Sequence, residues 1–413
     1  MRICCVPSGT GGVAFYRILQ PYGFLRDKLK KDVFIFDSKK HDSNRLTQEM
    51  MAADIILYQC PWSEGVLEAI QLIKEGKKYG RNKKVVVEFD DDLFSVSPWN
   101  EKYHMFGIEE AQIRLDDKES QKRFLEEHDK DDWVRKKWNK DGSLTVDMWR
   151  DGYSGLNIEE NLRKHHATQQ IAKIADLVTV TTNELAKKFR KHRPTGPLAV
   201  LPNFVDFDRW LPMKPNETDE IRIGWQGGSA HFADLHMIMD ELIAISEKYP
   251  KVKFCFMGIQ YDSLMEKMKD KIEWFAWHGD IATYPLVVRD MRLDIGLCPL
   301  VDDSFNRGKS ALKWVEYSAM GIPSIVSPTV YQHEVKHGKT GLIAKKGEWF
   351  KCIEELILDK DKRKKIAAKA HNRVRNNFNA NNSYIWWDCL NDLFGSDIKH
   401  SKINLEKVET IKV

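Results

Sequence analysis

The feature that most constrains the fold is an alternation of short apolar runs with longer amphipathic stretches, which begins twice along the chain. One series of six apolar runs starts at Arg2, and a second series of six starts at Ile221. Such alternation is typical of parallel α/β sheets, because helices cover both faces of the sheet and bury its strands. The predicted strands span 2–6, 33–36, 54–58, 84–89, 177–181, 198–201, 221–225, 252–257, 272–275, 294–298, 324–326 and 341–344. The sequence therefore predicts two Rossmann-like domains facing a cleft.

The chain length of 413 residues also favours two domains, since a single hydrophobic core usually stops growing at a smaller size. We predict an N-terminal domain over 1–205, a proline-bearing hinge over 206–220 and a C-terminal domain over 221–375. Residues 376–413 are predicted to form a helix and a polar tail. The charged, tryptophan-bearing stretch 99–166 shows no convincing strand, and we predict a helical insertion at the edge of the cleft.

Composition excludes several classes of protein. With 42% hydrophobic and 31% charged residues, the chain is unlike disordered or low-complexity proteins. A mean hydropathy of −0.50 and the lack of any apolar run near 18 residues argue against a membrane span, and the N-terminus does not resemble a signal peptide. Seven cysteines without CxxC spacing predict neither a zinc site nor a disulfide framework, so we expect a cytoplasmic protein. A net charge of only +4 is unlike a non-specific nucleic-acid coat.

Two glycine-rich segments each follow the first strand of a predicted domain. The first, SGTGG, contains Gly11 and Gly12, and the second, QGGSAH, contains Gly227, Gly228 and Ser229. Glycines at such turns allow positive φ and let backbone N–H groups approach a phosphate at a helix N-terminus. A tight strand–helix turn without a ligand is the structural alternative for each segment.

The first glycine segment also leaves a dinucleotide site open as an interpretation. Gly9 and Gly11 supply the first part of a GxGxxG fingerprint, whereas position 14 is alanine. Asp37 would be the ribose-binding acid of such a site.

Three consecutive carboxylates, Asp90, Asp91 and Asp92, follow the predicted strand 84–89. Like charges this close repel one another and raise pKa values, a cost that active sites often carry. We predict a catalytic role for them. A divalent-metal site, helped by the Asp-x-Asp spacing, and plain helix capping are the alternatives.

The segment DDSFNRGKSALKWVEYSAMGIP carries the most specific pattern. Lys309, Lys313 and Glu316 are spaced to share one helix face, with Ser310 beside them. Lysines facing a cleft neutralise phosphates well, and the glutamate can accept hydrogen bonds from ribose hydroxyls. A solvated face of ion pairs is the structural alternative.

Together these motifs resemble glycosyltransferases of the GT-B fold, most like the family 4-like branch, over nearly the whole chain. The resemblance implies a nucleotide-sugar donor, most like a UDP-glucose, held mainly by the C-terminal domain. Gly227 and Gly228 would meet its pyrophosphate, Lys309 and Lys313 would take its charge, and Glu316 would bind the ribose. No cofactor is expected, and a divalent metal is not favoured.

One departure from the family pattern concerns the donor sugar. The glutamate that usually stands eight residues before Glu316 is Gly308 here. The acid that contacts the sugar is then absent, or it is supplied by Asp302 or Asp303.

The GTGG start with its Tyr-Arg pair, EFDDDLF, WRDGYSG and GWQGGSAH further resemble bacteriophage glycosyltransferases, some of which modify hydroxymethylated pyrimidines in DNA. That likeness implies a DNA acceptor and the host cytoplasm. The candidate acceptor-binding residues are Tyr16, Arg17, Lys187, Lys188 and Arg190. Between residues 336 and 375, thirteen basic residues against five acidic ones form either a polyanion-binding patch or a solvated helix face.

Three alternatives remain open at this point. They are a glycosyltransferase that builds a cell-surface glycan, a nucleotide-sugar epimerase of the same architecture, and a non-catalytic nucleotide- or nucleic-acid-binding protein. No protein partner is predicted.

Overall fold

The computed structural model describes residues 1–80, 82–128, 135–213, 216, 218–258, 267–276, 279–281 and 283–395. The predicted polar tail, 396–413, lies outside the described residues.

Two six-stranded sheets form the frame of the molecule, and every strand pair within them is parallel. The first consists of β1 (Arg2–Val6), β2 (Asp32–Ile35), β3 (Ile55–Gln59), β4 (Lys84–Phe89), β8 (Leu177–Val180) and β9 (Leu198–Val200). The second consists of β10 (Ile221–Gly227), β11 (Val252–Gly258), β12 (Ile272–Phe275), β13 (Ile295–Cys298), β14 (Ser324–Val326) and β15 (Leu342–Ile343). The first sheet has the order β2-β1-β3-β4-β8-β9, and the second has the order β12-β11-β10-β13-β14-β15. The prediction of two parallel α/β domains is confirmed.

Helices cover both sheets. The α-helices are Gly12–Ala14, Gln20–Asp27, Ser43–Ala52, Glu64–Lys74, Tyr103–Phe106, Lys118–His128, Ile158–Ile174, Asn183–His192, Phe232–His236, Met239–Lys248, Tyr284–Asp290, Ser304–Arg307, Leu312–Ala319, Pro328–Tyr331, Trp349–Leu358, Lys360–Asn377 and Tyr384–Phe394. A π-helical turn spans Phe15–Leu19, and 3-10 turns span Ser229–His231, Lys269–Lys271 and Ala380–Ser383. None of the described helices is long and apolar enough to cross a membrane.

The expectation that the insertion 99–166 contains no strand is wrong. It holds a three-stranded antiparallel sheet of β5 (Ala111–Leu115), β6 (Lys136–Trp138) and β7 (Leu144–Trp149), in the order β5-β7-β6. Within this small sheet, only Leu144 and Val146 form a buried apolar cluster. Because so little of the sheet is buried, charged residues occupy most positions of its strands. They mask the alternation of apolar and polar residues that would indicate a strand. The insertion is therefore mixed α/β rather than helical.

The chain crosses back to the first sheet near its end. A short β-bridge joins Val205 to Asn379, and the ring of Trp386 packs edge-on against Tyr22 at 5.6 Å. One hydrophobic cluster consequently runs through both domains, from Ile3 to Leu390. The C-terminal helix thus fastens the second half of the chain to the first.

Candidate functional site

A cavity of about 370 Å³ lies between the two domains, at the carboxyl ends of the central strands of both sheets. In parallel α/β sheets ligands bind at this edge, because the loops and helix N-termini that can hold them converge there. Twelve of the seventeen predicted site residues line the cavity. They are Gly11, Gly12, Tyr16, Arg17, Asp90, Asp91, Gly227, Gly228, Lys309, Ser310, Lys313 and Glu316.

The glycines of the two loops leave room in this cavity. A Cβ placed on Gly11, Gly12 or Gly228 would meet no atom within 4 Å, so the backbone is exposed to whatever fills the cavity. Gly227 differs, because a Cβ there would lie 2.5 Å from the ring of Trp225. None of these four residues has a positive φ. Close approach and packing, rather than unusual backbone angles, therefore explain these glycines.

Lys313 brings a buried ammonium group into the cavity. Its Nζ is buried and has no hydrogen-bond partner among the described residues, and it lies 5.1 Å from the ring centroid of Trp225. Burial lowers the pKa of this lysine. A buried ammonium without an acceptor is costly, so the arrangement suits an anionic ligand that supplies the missing acceptors.

Lys309 faces the same cavity from a different element. The helix begins only at Leu312, so the prediction that Lys309 shares a helix face with Lys313 and Glu316 is wrong. Lys309 lies in the preceding loop, with its Nζ 4.8 Å from the Phe305 ring centroid. The loop nevertheless brings both lysines to one cavity.

Glu316 is buried at the centre of a hydrogen-bond network. Its Oε1 accepts from the Tyr16 hydroxyl at 2.7 Å, and its Oε2 accepts from the Gln226 amide at 3.0 Å. The Tyr284 hydroxyl lies 3.4 Å from Oε2. Burial raises the pKa of Glu316 to about 7, even though these hydrogen bonds and the nearby Lys313 favour the carboxylate.

His231 was not singled out from the sequence, although it stands in the second glycine segment. Its Nδ1 is 2.7 Å from Oδ2 of Asp234, and its ring lines the cavity. Burial, followed by the charges of Lys313 and Lys309, lowers the pKa of His231 to about 4, so the ring is neutral. The 3-10 turn that ends at His231 begins at Ser229. Gln226, from the same segment, was also missed, because its role depends on Glu316 in another element.

The three consecutive aspartates separate into two environments. Asp90 and Asp91 line the cavity, and Asp90 accepts a hydrogen bond from the Cys60 thiol at 3.1 Å. Burial, and then the charge of Asp91, raises the pKa of Asp90. Asp92 does not line the cavity: it accepts from the backbone of Phe94 and pairs with Lys188 at 2.8 Å.

Arg17 is almost completely buried beneath the cavity. Its Nε donates to Glu88 at 2.6 Å, and its guanidinium lies 4.5 Å from the Trp386 ring centroid. Burial raises the pKa of Glu88 to about 7 despite this ion pair. One guanidinium nitrogen, Nη2, is buried without a hydrogen-bond partner among the described residues.

Two of the basic residues predicted to bind an acceptor, Lys187 and Arg190, line a second cavity. This cavity of about 850 Å³ adjoins the first, with which it shares Thr181, Asn203, Lys309, Ser310 and Leu312. Lys187 and Arg190 line it from one domain, and Arg373 lines it from the other. Lys188 lies elsewhere, because its ammonium bonds Asp92 and the backbone oxygen of Ser304 across the domain boundary.

Gly308, at the departure from the family pattern, lies against the N-terminal domain. A Cβ there would lie 3.5 Å from Leu185 and 3.8 Å from Asp92, and the Gly308 carbonyl accepts from Thr182 at 2.8 Å. Neither suggested replacement lines the cavity. Asp302 is exposed and pairs with Arg307, whereas Asp303 caps the helix Ser304–Arg307. Asp90 and Asp91 are thus the cavity carboxylates other than Glu316 among the described residues.

Comparisons with known proteins give the fold an independent basis. No family model matches the sequence, and no curated protein matches it either. Among solved structures, HepE of Anabaena in complex with UDP is 15% identical, with a TM-score of 0.57 over 94% of this chain and 98% of that one. Sucrose-phosphate synthase of Thermosynechococcus elongatus is 14% identical, with a TM-score of 0.59 over 96% and 100%.

A glycosyltransferase of Rickettsia africae is a third neighbour, 12% identical, with a TM-score of 0.57 over 96% of this chain and 99% of that one. At such low identities these likenesses show the fold alone. The two facing Rossmann-like domains are those of the GT-B fold.

Proposed function

We propose that this chain is a glycosyltransferase that moves a hexose from a nucleoside-diphosphate sugar to an acceptor hydroxyl. The observation that carries the proposal is the buried ammonium of Lys313, which faces the interdomain cavity without a hydrogen-bond partner among the described residues. A diphosphate would supply both the charge and the acceptors that this group lacks.

Different cavity residues would bind the diphosphate and the ribose of such a donor. Gly227 and Gly228 let the backbone approach the diphosphate, and Lys309 and Lys313 neutralise it. Glu316 accepts from the ribose hydroxyls. We propose a UDP-sugar, because structures of the neighbour HepE were solved with UDP and with UDP-glucose.

Asp90 and Asp91 are the proposed catalytic and sugar-contacting acids. In the transfer, the bond between the anomeric carbon and the diphosphate breaks, and a bond from that carbon to the acceptor oxygen forms. The acceptor hydroxyl loses its proton, and the diphosphate leaves with the electron pair of the broken bond. A carboxylate in the cavity, such as Asp91, can accept the proton or stabilise the positive charge that develops on the sugar.

For the acceptor we propose a hydroxymethylated base in DNA. The supporting observation is that Lys187 and Arg190, which share the helix Asn183–His192, and Arg373, which is remote from them in the sequence, line one cavity beside the donor site. Cationic side chains in a groove bind phosphate backbones and make the affinity depend on salt. Lys187 is paired with Glu184 and Arg373 with Glu334, so the phosphates must compete with these carboxylates.

The decisive experiment combines labelled UDP-glucose with hydroxymethylated DNA and measures both UDP and labelled DNA. Release of UDP that requires the DNA, and that is lost in Lys313→Ala, supports the DNA enzyme. Turnover with a glycan acceptor instead identifies a glycan-building transferase. Inversion at C2 of the free sugar nucleotide identifies an epimerase. Binding of UDP without turnover on any acceptor identifies a non-catalytic protein, and absence of UDP binding overturns the proposed donor site.

A further inference from the structure

We infer that Tyr16 competes with the donor ribose for Glu316, so that donor binding releases the Tyr16 hydroxyl from the C-terminal domain. This inference rests on the proposed function, in which Glu316 binds the ribose. It assigns Tyr16 a role in setting donor affinity rather than in direct contact with the acceptor.

The first step of the argument is a count of hydrogen bonds at Glu316. A carboxylate offers about four acceptor sites on its two oxygens. Tyr16, Gln226 and Tyr284 already occupy three of them, one on Oε1 and two on Oε2. A ribose diol that donates from both hydroxyls needs two sites. At least one of the three present donors must therefore leave.

The second step identifies which donor leaves. Gln226 is on β10 and Tyr284 is on the helix Tyr284–Asp290, so both belong to the same domain as Glu316. Tyr16 is on the π-helical turn Phe15–Leu19 of the other domain. A small relative movement of the domains breaks the Tyr16 bond without rearranging either domain, whereas the other two bonds are fixed within one rigid packing unit. Tyr16 also binds alone to Oε1, the oxygen with the remaining free site.

The third step concerns how Tyr16 is held. Tyr16 belongs to the same buried apolar cluster as Trp210 of the predicted hinge, and the Trp210 ring packs edge-on against Tyr284 at 5.6 Å. Tyr16 is therefore positioned by its own turn, by the hinge and by the opposite domain together. A residue that touches all three is well placed to couple occupation of the donor site to the relation between the domains.

The test measures binding of UDP and of 2′,3′-dideoxy-UDP by calorimetry to the full chain and to Tyr16→Phe. Removing one competing hydrogen bond should tighten UDP binding about two- to tenfold. Dideoxy-UDP lacks both ribose hydroxyls and cannot take over Glu316, so its affinity should not improve. Tyr317→Phe is the matched control, because its hydroxyl donates to the Gly224 backbone oxygen and not to Glu316, and we expect no gain in UDP affinity from it. Tyr284→Phe removes the longer 3.4 Å bond to Oε2 and should gain less than Tyr16→Phe.

Three outcomes would overturn the inference. Weaker UDP binding by Tyr16→Phe would show that Tyr16 positions Glu316 for the ribose. An equal gain with dideoxy-UDP would show that the ribose hydroxyls are not involved. A gain confined to Tyr284→Phe would identify Tyr284 as the displaced donor. If the parent chain binds no UDP, the proposed function fails and not merely this inference.

Tyr16 is buried, so a second variant guards against a folding defect in Tyr16→Phe. Tyr16→Met also removes the hydroxyl and keeps a flexible apolar side chain in the buried position. It should also tighten UDP binding, and unchanged or weaker binding in a folded Tyr16→Met contradicts the inference.

Discussion

The Tyr16 hydroxyl and the Glu316 carboxylate are 300 residues apart in the chain and 2.7 Å apart across the domain boundary. Asn203 and Ser310 meet at the same boundary, at 3.0 Å. The cavity is therefore assembled from both domains, and its properties depend on residues that neither domain can supply alone.

Replacing Lys313 should separate stability from donor binding. In Lys313→Met the buried ammonium disappears, so the free energy of unfolding without ligand should rise by about 1–3 kcal/mol. UDP affinity should fall about ten- to a hundredfold because a charge-assisted contact is lost. Chemical denaturation and calorimetry measure the two effects, with the exposed Lys364→Met as the control. UDP affinity equal to that of the parent would refute the phosphate assignment of Lys313.

The three consecutive aspartates should differ in what they control. At least one of Asp90→Asn and Asp91→Asn should lower kcat about a hundredfold with little change in melting temperature, because both side chains line the cavity. Asp92→Asn should instead lower the melting temperature, because it breaks the ion pair with Lys188. Turnover and thermal melting of the three variants check this division. If Asp90→Asn and Asp91→Asn both kept the kcat of the parent, neither carboxylate would have a catalytic role.

Stability should fall as the pH rises through the upper part of the acid range. The pKa of Glu316 is raised from 4.5 to about 7 by burial, so the folded chain binds a proton that the unfolded chain has released. The resulting stabilisation is complete below about pH 4.5 and is lost as the pH rises to about 7; Glu88 acts in the same direction. Urea denaturation between pH 5 and 8 measures it. Glu316→Gln should flatten the dependence, and an unchanged slope would contradict the assignment.

Activity should survive EDTA. Among the described residues, no group of three or more His, Cys, Asp or Glu side chains could hold a metal ion. We expect the lysines and the exposed backbone at Gly11, Gly12 and Gly228 to stabilise the diphosphate instead. Turnover before and after chelation checks this expectation. Loss of turnover with rescue by Mg²⁺ or Mn²⁺ would establish a metal-dependent reaction.

Binding of hydroxymethylated DNA should weaken steeply between about 50 and 200 mM salt. Neutralising Lys187 and Arg190 together should weaken it further, because both line the larger cavity, and should leave UDP affinity unchanged. Neutralising Lys28 and Lys39 together provides a charge-matched control, because both are exposed and line neither cavity. Electrophoretic titrations at several salt concentrations measure the effect. Absence of DNA binding at low salt would favour a glycan acceptor.

The sequence by itself determined the two parallel sheets. All twelve predicted strands of these sheets are present, and each begins and ends within two residues of the predicted bounds. Strands buried on both faces produce continuous apolar runs, and helices between them produce a longer period, so the pattern is readable from local sequence alone. The positions of the two glycine loops could be predicted for the same reason, since each loop comes directly after a predicted strand.

Only the tertiary structure decided how the site is assembled. Nothing in the sequence around Asp92 separates it from Asp91, and its partner Lys188 arrives from a distant helix. The burial of Lys313 and the contact of Tyr16 with Glu316 depend on how the two domains meet. Local patterns report whether a residue is buried within its own element, whereas these contacts depend on docking between surfaces that are remote in sequence. For that reason the two parallel sheets could be predicted strand by strand, and the site only as a set of candidates.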